Sequence, residues 1–132
     1  MGGLHARNAA ASGRLELAGF GDHRRDGGAR LAGELGARAA PYEEILADPE
    51  VKAVIVASST SSHLENVIAA VRAGKAVFCE KPVSLSADAL AAALPEIAGP
   101  ASPPVFVAFN RRFAPHLAAL KWRCDDGEIG GI

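Results

Sequence analysis

Short apolar runs alternate along the chain with stretches of helical spacing. The clearest run is Ala53-Val54-Ile55-Val56-Ala57, which is β-branched and bounded by polar residues, as is typical of a buried strand. We predict strands at 15–20, 53–57, 76–79 and 105–109, with a weaker one at 37–40. Helices are predicted between and after them, at about 28–35, 42–46, 63–73, 87–97 and 115–124. This alternation predicts repeated βαβ units, a parallel sheet and right-handed crossovers, and so an α/β fold.

Turn and capping residues support these boundaries. Gly36 and Gly74 each follow a predicted helix, where glycine is the preferred C-terminal cap. Ser86 precedes the 87–97 helix and carries the hydroxyl of an N-cap. The short helix at 42–46 should end before Asp48-Pro49, because the residue before a proline disfavours helical geometry.

Composition limits the number of domains and the kinds of partner that we expect. The chain has 132 residues, 49% of them hydrophobic, which suits one domain over residues 1–132. A formal net charge of −1 provides no electrostatic basis for a nucleic-acid or anionic-membrane partner. No apolar run approaches the about 18 residues of a membrane span, and the first residues lack the apolar region of a signal peptide. We therefore expect a cytoplasmic protein.

Several residues with reactive or bulky side chains receive no chemical role. The two cysteines, Cys79 and Cys124, lack metal-ligand spacing, and Cys79 is predicted to be a buried small hydrophobe. No metal site is predicted. We assign no function to His5 or His116, and we expect Trp122 to serve in helix packing.

The 76–79 strand ends abruptly in Glu80-Lys81-Pro82. In open α/β sheets, ligands bind in the crevice beyond the carboxyl ends of the strands. An acid and a base at that position, next to a proline with a fixed φ, are placed for chemistry on a small molecule. The alternative is a solvated strand-to-helix turn.

Polar residues also follow two other predicted strands. Ser58, Ser59 and Thr60 come after the 53–57 strand, where hydroxyls and backbone N–H groups could hold a phosphate or ribose, or could simply cap the next helix. His63 opens that helix and is either structural or a ligand contact. The 105–109 strand is followed by Asn110-Arg111-Arg112, which could also face solvent. Three such endings at one edge of the sheet together favour a binding site.

Asp22 follows the first predicted strand, 20 residues after Gly2. A dinucleotide-binding fold places an acid about 20 residues beyond its glycine turn, where it bonds the adenosine ribose. Asp22 is therefore either a ribose ligand or an ordinary loop acid. Arg24 and Arg25 could instead hold a 2′-phosphate, but the Asp22 carboxylate would repel that dianion. We accordingly predict NAD rather than NADP.

Together these motifs resemble the glucose–fructose oxidoreductase / inositol dehydrogenase / MocA (Gfo/Idh/MocA) family of NAD(P)-dependent oxidoreductases. The most specific part is the segment 69–82, with Gly74-Lys75 and Cys79-Glu80-Lys81-Pro82, and residues 107–115 most resemble the inositol 2-dehydrogenase branch. The resemblance covers nearly the whole chain and implies a Rossmann-like, doubly wound parallel sheet. The matching segments are 4–8, Asp22, 53–63, 69–82 and 107–115.

The resemblance also implies roles for individual residues. Lys81 would be the catalytic lysine, hydrogen-bonded to the substrate hydroxyl that loses its hydride, and Glu80 would contact the nicotinamide riboside. Asn110 and Arg111 would lie beside the nicotinamide and the substrate. The residues predicted to contact the cofactor are Gly2, Asp22, Ser58, Ser59, Thr60, His63, Glu80, Lys81, Pro82, Asn110 and Arg111.

The chain departs from the family pattern in three ways. The first strand and the first two glycines of the dinucleotide fingerprint are missing, so Gly2 matches only the third glycine. Ser59 replaces the usual proline. The substrate domain, with its aspartate and histidine, is absent. We therefore expect a partial dinucleotide-binding domain, truncated at both ends and inactive alone. Strands 15–20 and 53–57 should either pair with each other or keep unpaired edges.

Three functional hypotheses remain. The leading one is the cofactor-binding N-terminal part of an oxidoreductase that acts on a CH–OH group of a sugar or an inositol-like cyclitol. The intact enzyme would bind a small polyol or sugar and would be able to form a homo-oligomer through its C-terminal domain. The alternatives are a non-catalytic nucleotide-binding module and a non-functional gene fragment. Lys81 favours the first, because a module that only binds nucleotide has no evident need for it.

Overall fold

The computed structural model describes residues 1–22, 25–128 and 130, and only the backbone of residues 25 and 26. Helices and short strands alternate along the described chain. The helices are α1 (Gly2–Ala11), α2 (Arg25–Leu35), α3 (Tyr42–Ala47), α4 (His63–Arg72), α5 (Ala87–Ile97) and α6 (Pro115–Asp125). The strands are β1 (Gly19–Phe20), β2 (Arg38–Ala39), β3 (Ala53–Val56), β4 (Ala76–Cys79) and β5 (Val105–Val107).

The strands form two parallel sheets. One contains β3, β4 and β5 in that order, and the other contains β1 and β2. A Rossmann sheet has the strand order 3-2-1-4-5-6. The observed pairs fit that order on either side of its central strand, which confirms the Rossmann-like α/β prediction. β1 and β3 do not pair with each other, so among the described residues each keeps an edge without a strand partner.

Several predicted boundaries agree with the structure. β4 and α5 have the predicted limits, and the Ser86 side chain accepts a hydrogen bond of 3.2 Å from the Ala89 N–H, as an N-cap should. Gly36 and Gly74 have φ values of +66° and +72°, the left-handed geometry expected just after a helix.

The strands predicted at 15–20 and 105–109 are too long. Only Gly19–Phe20 of the first is a strand, because its partner β2 also has just two residues and Leu15 lies exposed before it. The other strand stops at Val107. There the Phe109 N–H donates to the Val107 oxygen at 2.8 Å, and the chain turns into a 3-10 helix, Asn110–Phe113.

The core lies between one face of the β3–β5 sheet and helices α4 and α5. Val67 and Cys79 are fully buried there, which confirms the prediction for Cys79. The opposite face carries Ile55, Phe78 and Phe106 in register across the three strands. Ile55 and Phe106 are each 43% exposed, so this face is only partly covered. The buried residues of the core are Ile45, Val51, Val54, Val56, Val67, Ala70, Val71, Val77, Cys79, Val83, Ala93 and Ile97.

Trp122, which we predicted to serve in helix packing, is largely exposed. Trp122 is 67% exposed, and α6 has no buried residue. The helix lies against the 3-10 helix Asn110–Phe113 rather than against the sheet. Among the described residues, the side chains of α6 therefore do not contribute to the core.

Lys75 is buried between α4 and β4, and its ammonium donates to the backbone oxygen of Asp48 at 2.7 Å. We expect Lys75→Met to lower the free energy of unfolding by about 1–3 kcal/mol, because it removes a charged hydrogen bond to the Asp48 oxygen and leaves only the longer bond from the Val51 N–H at 3.3 Å. Urea denaturation measures this loss. Lys52 is a matched control, since its exposed ammonium donates to the Pro49 oxygen of the same loop. Lys52→Met should change stability by no more than about 0.5 kcal/mol.

Candidate active site

Three of the predicted polar segments meet at one edge of the larger sheet. Val56, Cys79 and Val107 are in register at the carboxyl ends of β3, β4 and β5. The ladder continues one step further, since the Glu80 N–H donates to the Val56 oxygen at 2.8 Å and the Ala108 N–H to the Cys79 oxygen at 2.9 Å. The structure therefore brings together the segments 58–60, 80–82 and 110–111, with Lys81, Pro82, Asn110 and Arg111 exposed.

Glu80 is the most constrained side chain at this edge. Its Oε1 lies 2.8 Å from Nε2 of His5, and its Oε2 accepts the Lys81 backbone N–H at 3.2 Å. The hydrogen bond from His5 lowers the pKa of Glu80, and the Lys81 amide and ammonium add to this against the opposing effect of burial. Glu80 is therefore held as a carboxylate. The following Lys81–Pro82 peptide bond is cis.

His5 is the residue that sequence reasoning missed. It lies three positions after Gly2, on the same side of α1, and residues at that spacing face the same neighbour. A Cβ added to Gly2 would lie 3.9 Å from the Ala57 oxygen, so the start of α1 lies beside the carboxyl end of β3. Helical spacing from Gly2 was therefore the signal that could have placed His5 near the site.

The serine loop after β3 is tied together by its own side chains. The Ser62 hydroxyl donates to Ser58 Oγ at 2.9 Å, and the Asn66 amide donates to the same oxygen at 3.0 Å. No side chain of this loop forms a capping hydrogen bond to α4. Ser58 and Ser59 are exposed. The serine hydroxyls therefore bond mainly to one another at an exposed edge of the sheet, and their predicted contact with a cofactor stays a prediction.

His63 is nearly inaccessible, with 2% of its surface exposed. Its Nδ1 lies 2.7 Å from the Pro82 oxygen, and its Nε2 lies 3.2 Å from the Ser58 oxygen. The ring therefore links the serine loop to the Glu80–Pro82 turn. In this position His63 holds the backbone of both segments in place. Its predicted contact with a cofactor stays a prediction.

Asp22 lies in the loop after β1, beside the first turn of α2. A Cβ added to Gly28 would lie 2.9 Å from the Asp22 Cβ, so a glycine is needed for this close approach. The Asp22 residue is exposed. Its neighbour Gly21 lies beside the backbone of Tyr42, whose hydroxyl donates to the backbone oxygen of Asn66 in α4 at 2.8 Å. Arg24, an alternative phosphate ligand, lies outside the described residues, as does the side chain of Arg25.

Other chemistry is limited in the part of the chain that the structure describes. There, no group of three or more His, Cys, Asp or Glu side chains is arranged to hold a metal ion. No helix in that part is long and apolar enough to cross a membrane. Burial, with a smaller effect of the nearby Glu80 charge, raises the pKa of the Cys79 thiol to about 11, so this cysteine stays protonated.

The lowered pKa of Glu80 predicts a pH-dependent stability. A carboxyl whose pKa is lower in the folded state stabilises the fold above its unfolded pKa of about 4.3 and loses that contribution as the pH falls through the folded value. We expect Glu80→Gln to be less stable than the wild type at pH 6, with the difference shrinking below about pH 4. Urea denaturation from pH 6 to pH 3 measures this. Glu65→Gln, at an exposed position on α4, is the control and should show a smaller difference.

Comparison with known proteins decides the family. Residues 1–108 match the Gfo/Idh/MocA family, described as an oxidoreductase family with an NAD-binding Rossmann fold. The chain belongs to this family. Lys81 and the segments 58–60 and 80–82 therefore lie in the part of the chain that matches the NAD-binding Rossmann fold of this family, as the sequence motifs predicted.

The curated relatives of this Gfo/Idh/MocA chain include several inositol dehydrogenases. Inositol 2-dehydrogenase of Rhizobium meliloti is 32% identical over 132 residues, which cover 100% of this chain and 40% of that protein. The scyllo-inositol 2-dehydrogenase (NAD(+)) of Bacillus subtilis is 37% identical over 134 residues, covering 98% of this chain and 39% of that protein. The chain thus spans about 40% of the length of these relatives.

Solved structures agree with this relationship. Scyllo-inositol dehydrogenase of Lactobacillus casei, determined with bound NAD(H) and scyllo-inositol, superposes with a TM-score of 0.88 at 28% sequence identity. The match covers 99% of this chain and 39% of that structure. A putative myo-inositol dehydrogenase of Sinorhizobium meliloti gives a TM-score of 0.84 at 32% identity, over 96% of this chain and 38% of that one. The fold therefore corresponds to one part of larger dehydrogenases.

Proposed function

We propose that this chain is the NAD-binding, lysine-bearing part of an oxidoreductase that acts on a CH–OH group of a sugar or cyclitol. One observation carries the proposal: the exposed Lys81 follows a fixed carboxylate, Glu80, at the carboxyl edge of the sheet in a chain whose relatives are inositol dehydrogenases. The substrate would be a small polyol or sugar, and we expect a cytoplasmic protein.

The residues present fit a dinucleotide. Gly2, which has no side chain, begins α1 beside the Ala57 oxygen at the carboxyl end of β3, and a helix N-terminus at this edge suits a pyrophosphate. Asp22 offers an exposed carboxylate for the adenosine ribose, and we propose NAD over NADP because that carboxylate would repel a 2′-phosphate. Ser58 and Ser59 are exposed in the loop that directly follows Ala57, the residue beside Gly2.

Bound NAD supplies the hydride acceptor, and the chain's own residues orient the reacting groups. The Lys81 ammonium donates a hydrogen bond to the substrate hydroxyl and stabilises the negative charge that develops on its oxygen. A proton acceptor must accompany this step, since a lysine that stays charged cannot remove the proton. The family resemblance assigns that role to a histidine of the substrate domain, outside these residues.

A chimeric enzyme tests the proposal. This chain replaces the matched 40% of Rhizobium meliloti inositol 2-dehydrogenase, and the relative's residues on either side are kept. We expect the chimera to reduce NAD in the presence of an inositol, with a lower kcat/KM for NADP than for NAD. The parent enzyme is the control for the assay.

The outcomes separate the competing functions. A chimera that binds NAD but does not reduce it with any inositol or sugar would favour a non-catalytic nucleotide-binding module. A folded chimera that binds no nucleotide would contradict both functions. Faster reduction of NADP than of NAD would refute the role proposed for Asp22.

A further inference from the structure

His5 and Glu80 form a contact that joins two distant parts of the chain. The residues are 75 positions apart, and Nε2 of His5 lies 2.8 Å from Oε1 of Glu80. The two side chains are only 18% and 14% exposed. An exposed ion pair contributes little, because solvent screens it and both side chains stay mobile. This pair is partly withdrawn from water, so its geometry is held more firmly.

The imidazole of His5 is also oriented by packing. Its ring meets the ring of Phe78 edge-on, with centroids 5.3 Å apart and planes at 64°. Phe78 in turn stacks on Phe106 at 5.4 Å. These aromatic contacts restrict the rotation of the His5 ring. Nε2 therefore points at Glu80 from a supported position on α1.

Glu80, held by His5, in turn holds the backbone of Lys81. Its second carboxylate oxygen accepts the backbone N–H of Lys81 at 3.2 Å, while its first oxygen contacts His5. The turn is held from its other end by His63, which contacts the Pro82 oxygen at 2.7 Å. Lys81 is thus bracketed by two histidines that come from different helices, α1 and α4.

We propose that His5 is a positioning residue for Lys81: it fixes the Glu80 carboxylate, and that carboxylate fixes the backbone from which the Lys81 side chain reaches the substrate. The catalytic consequence rests on the function proposed above for Lys81. The physical coupling from His5 to Lys81 does not, because it exists in the chain without any ligand. His5 itself touches neither substrate nor cofactor in this proposal.

Two amide substitutions of His5 distinguish a positioning role from a role in packing alone. The amide nitrogen of glutamine can take the place of a histidine Nε2, whereas that of asparagine is too short to reach it. His5→Gln should therefore keep the contact with Glu80, and His5→Asn should lose it, although both side chains are neutral amides. His116→Asn, at an exposed position on α6, controls for loss of a histidine elsewhere.

NMR spectroscopy of the isotope-labelled 132-residue chain gives the readout. His5→Asn should raise the hydrogen-exchange rate of the Lys81 amide several-fold and move the titration midpoint of the Glu80 carboxyl upward. His5→Gln should retain the exchange rate of the wild type, and His116→Asn should change neither quantity. Exchange rates of buried β4 amides, measured in the same spectra, report any global loss of stability.

Each outcome decides the proposal. An unchanged Lys81 amide in His5→Asn would overturn it, as would equal effects of the asparagine and glutamine variants. If the exchange rates of the Lys81 amide and of the β4 amides increased together, His5 would act only in packing. An inactive chimera would count against the function proposed for Lys81 and would leave this measurement unaffected.

Discussion

Lys81→Ala is expected to lower the kcat of the chimera at least ~100-fold, about 2.7 kcal/mol in the activation free energy, with little change in the Kd for NAD. The reason is that the ammonium binds the hydroxyl oxygen most strongly when negative charge develops on it. An interaction made mainly in the transition state affects turnover rather than binding. Steady-state kinetics and calorimetry with NAD measure the two quantities.

Two further variants make this prediction specific. Lys81→Arg should not restore turnover, because a planar guanidinium cannot replace a compact ammonium in a fitted site. Asp22→Ala should do the opposite of Lys81→Ala, weakening NAD binding while leaving kcat nearly unchanged. If Lys81→Ala kept near-normal turnover and lost only NAD affinity, Lys81 would be a binding residue and the mechanism would be wrong.

His63→Leu is expected to lower the free energy of unfolding of the chain by about 1–3 kcal/mol, a large share of a typical domain's stability. The variant fills the buried space but removes the contacts with the Pro82 and Ser58 oxygens. His63→Asn should lose less stability than His63→Leu, because the asparagine amide nitrogen can replace Nδ1, which makes the shorter contact. Urea denaturation measures both changes.

The control for this measurement is His116→Leu, which should change stability by no more than about 0.5 kcal/mol because His116 is exposed. The result also bears on the function first predicted for His63. If His63→Leu left the chain as stable as the wild type and weakened NAD binding in the chimera, His63 would be a direct cofactor contact rather than a link between two loops.

Local sequence patterns were sufficient for much of the fold. β4 and α5 were predicted with their observed limits because an apolar run and a capping serine are signals contained in a few neighbouring residues. The same is true of the edge of the sheet. Once the strands are parallel, residues directly after them must lie at one edge, which is why 58–60, 80–82 and 110–111 could be placed together.

Strand length and sheet pairing could not be predicted from local sequence patterns. The apolar residues of 15–20 satisfy a strand pattern, but a strand extends only as far as its partner, and β2 provides two residues. Trp122 is exposed for a related reason. An apolar side chain on a helix packs only where a surface is available, and α6 lies against a 3-10 helix instead of the sheet.

The sequence by itself determined the α/β class, the family and the order of polar segments along the site, because each depends on local periodicity or on a contiguous motif. Only the tertiary structure decided that His5 contacts Glu80 and that His63 is buried between two backbone oxygens. The His5–Glu80 contact joins residues 75 positions apart, and such a pairing depends on how α1 docks beside β3 and β4. No pattern within either segment encodes that docking, since it arises from packing between elements that are distant in the chain.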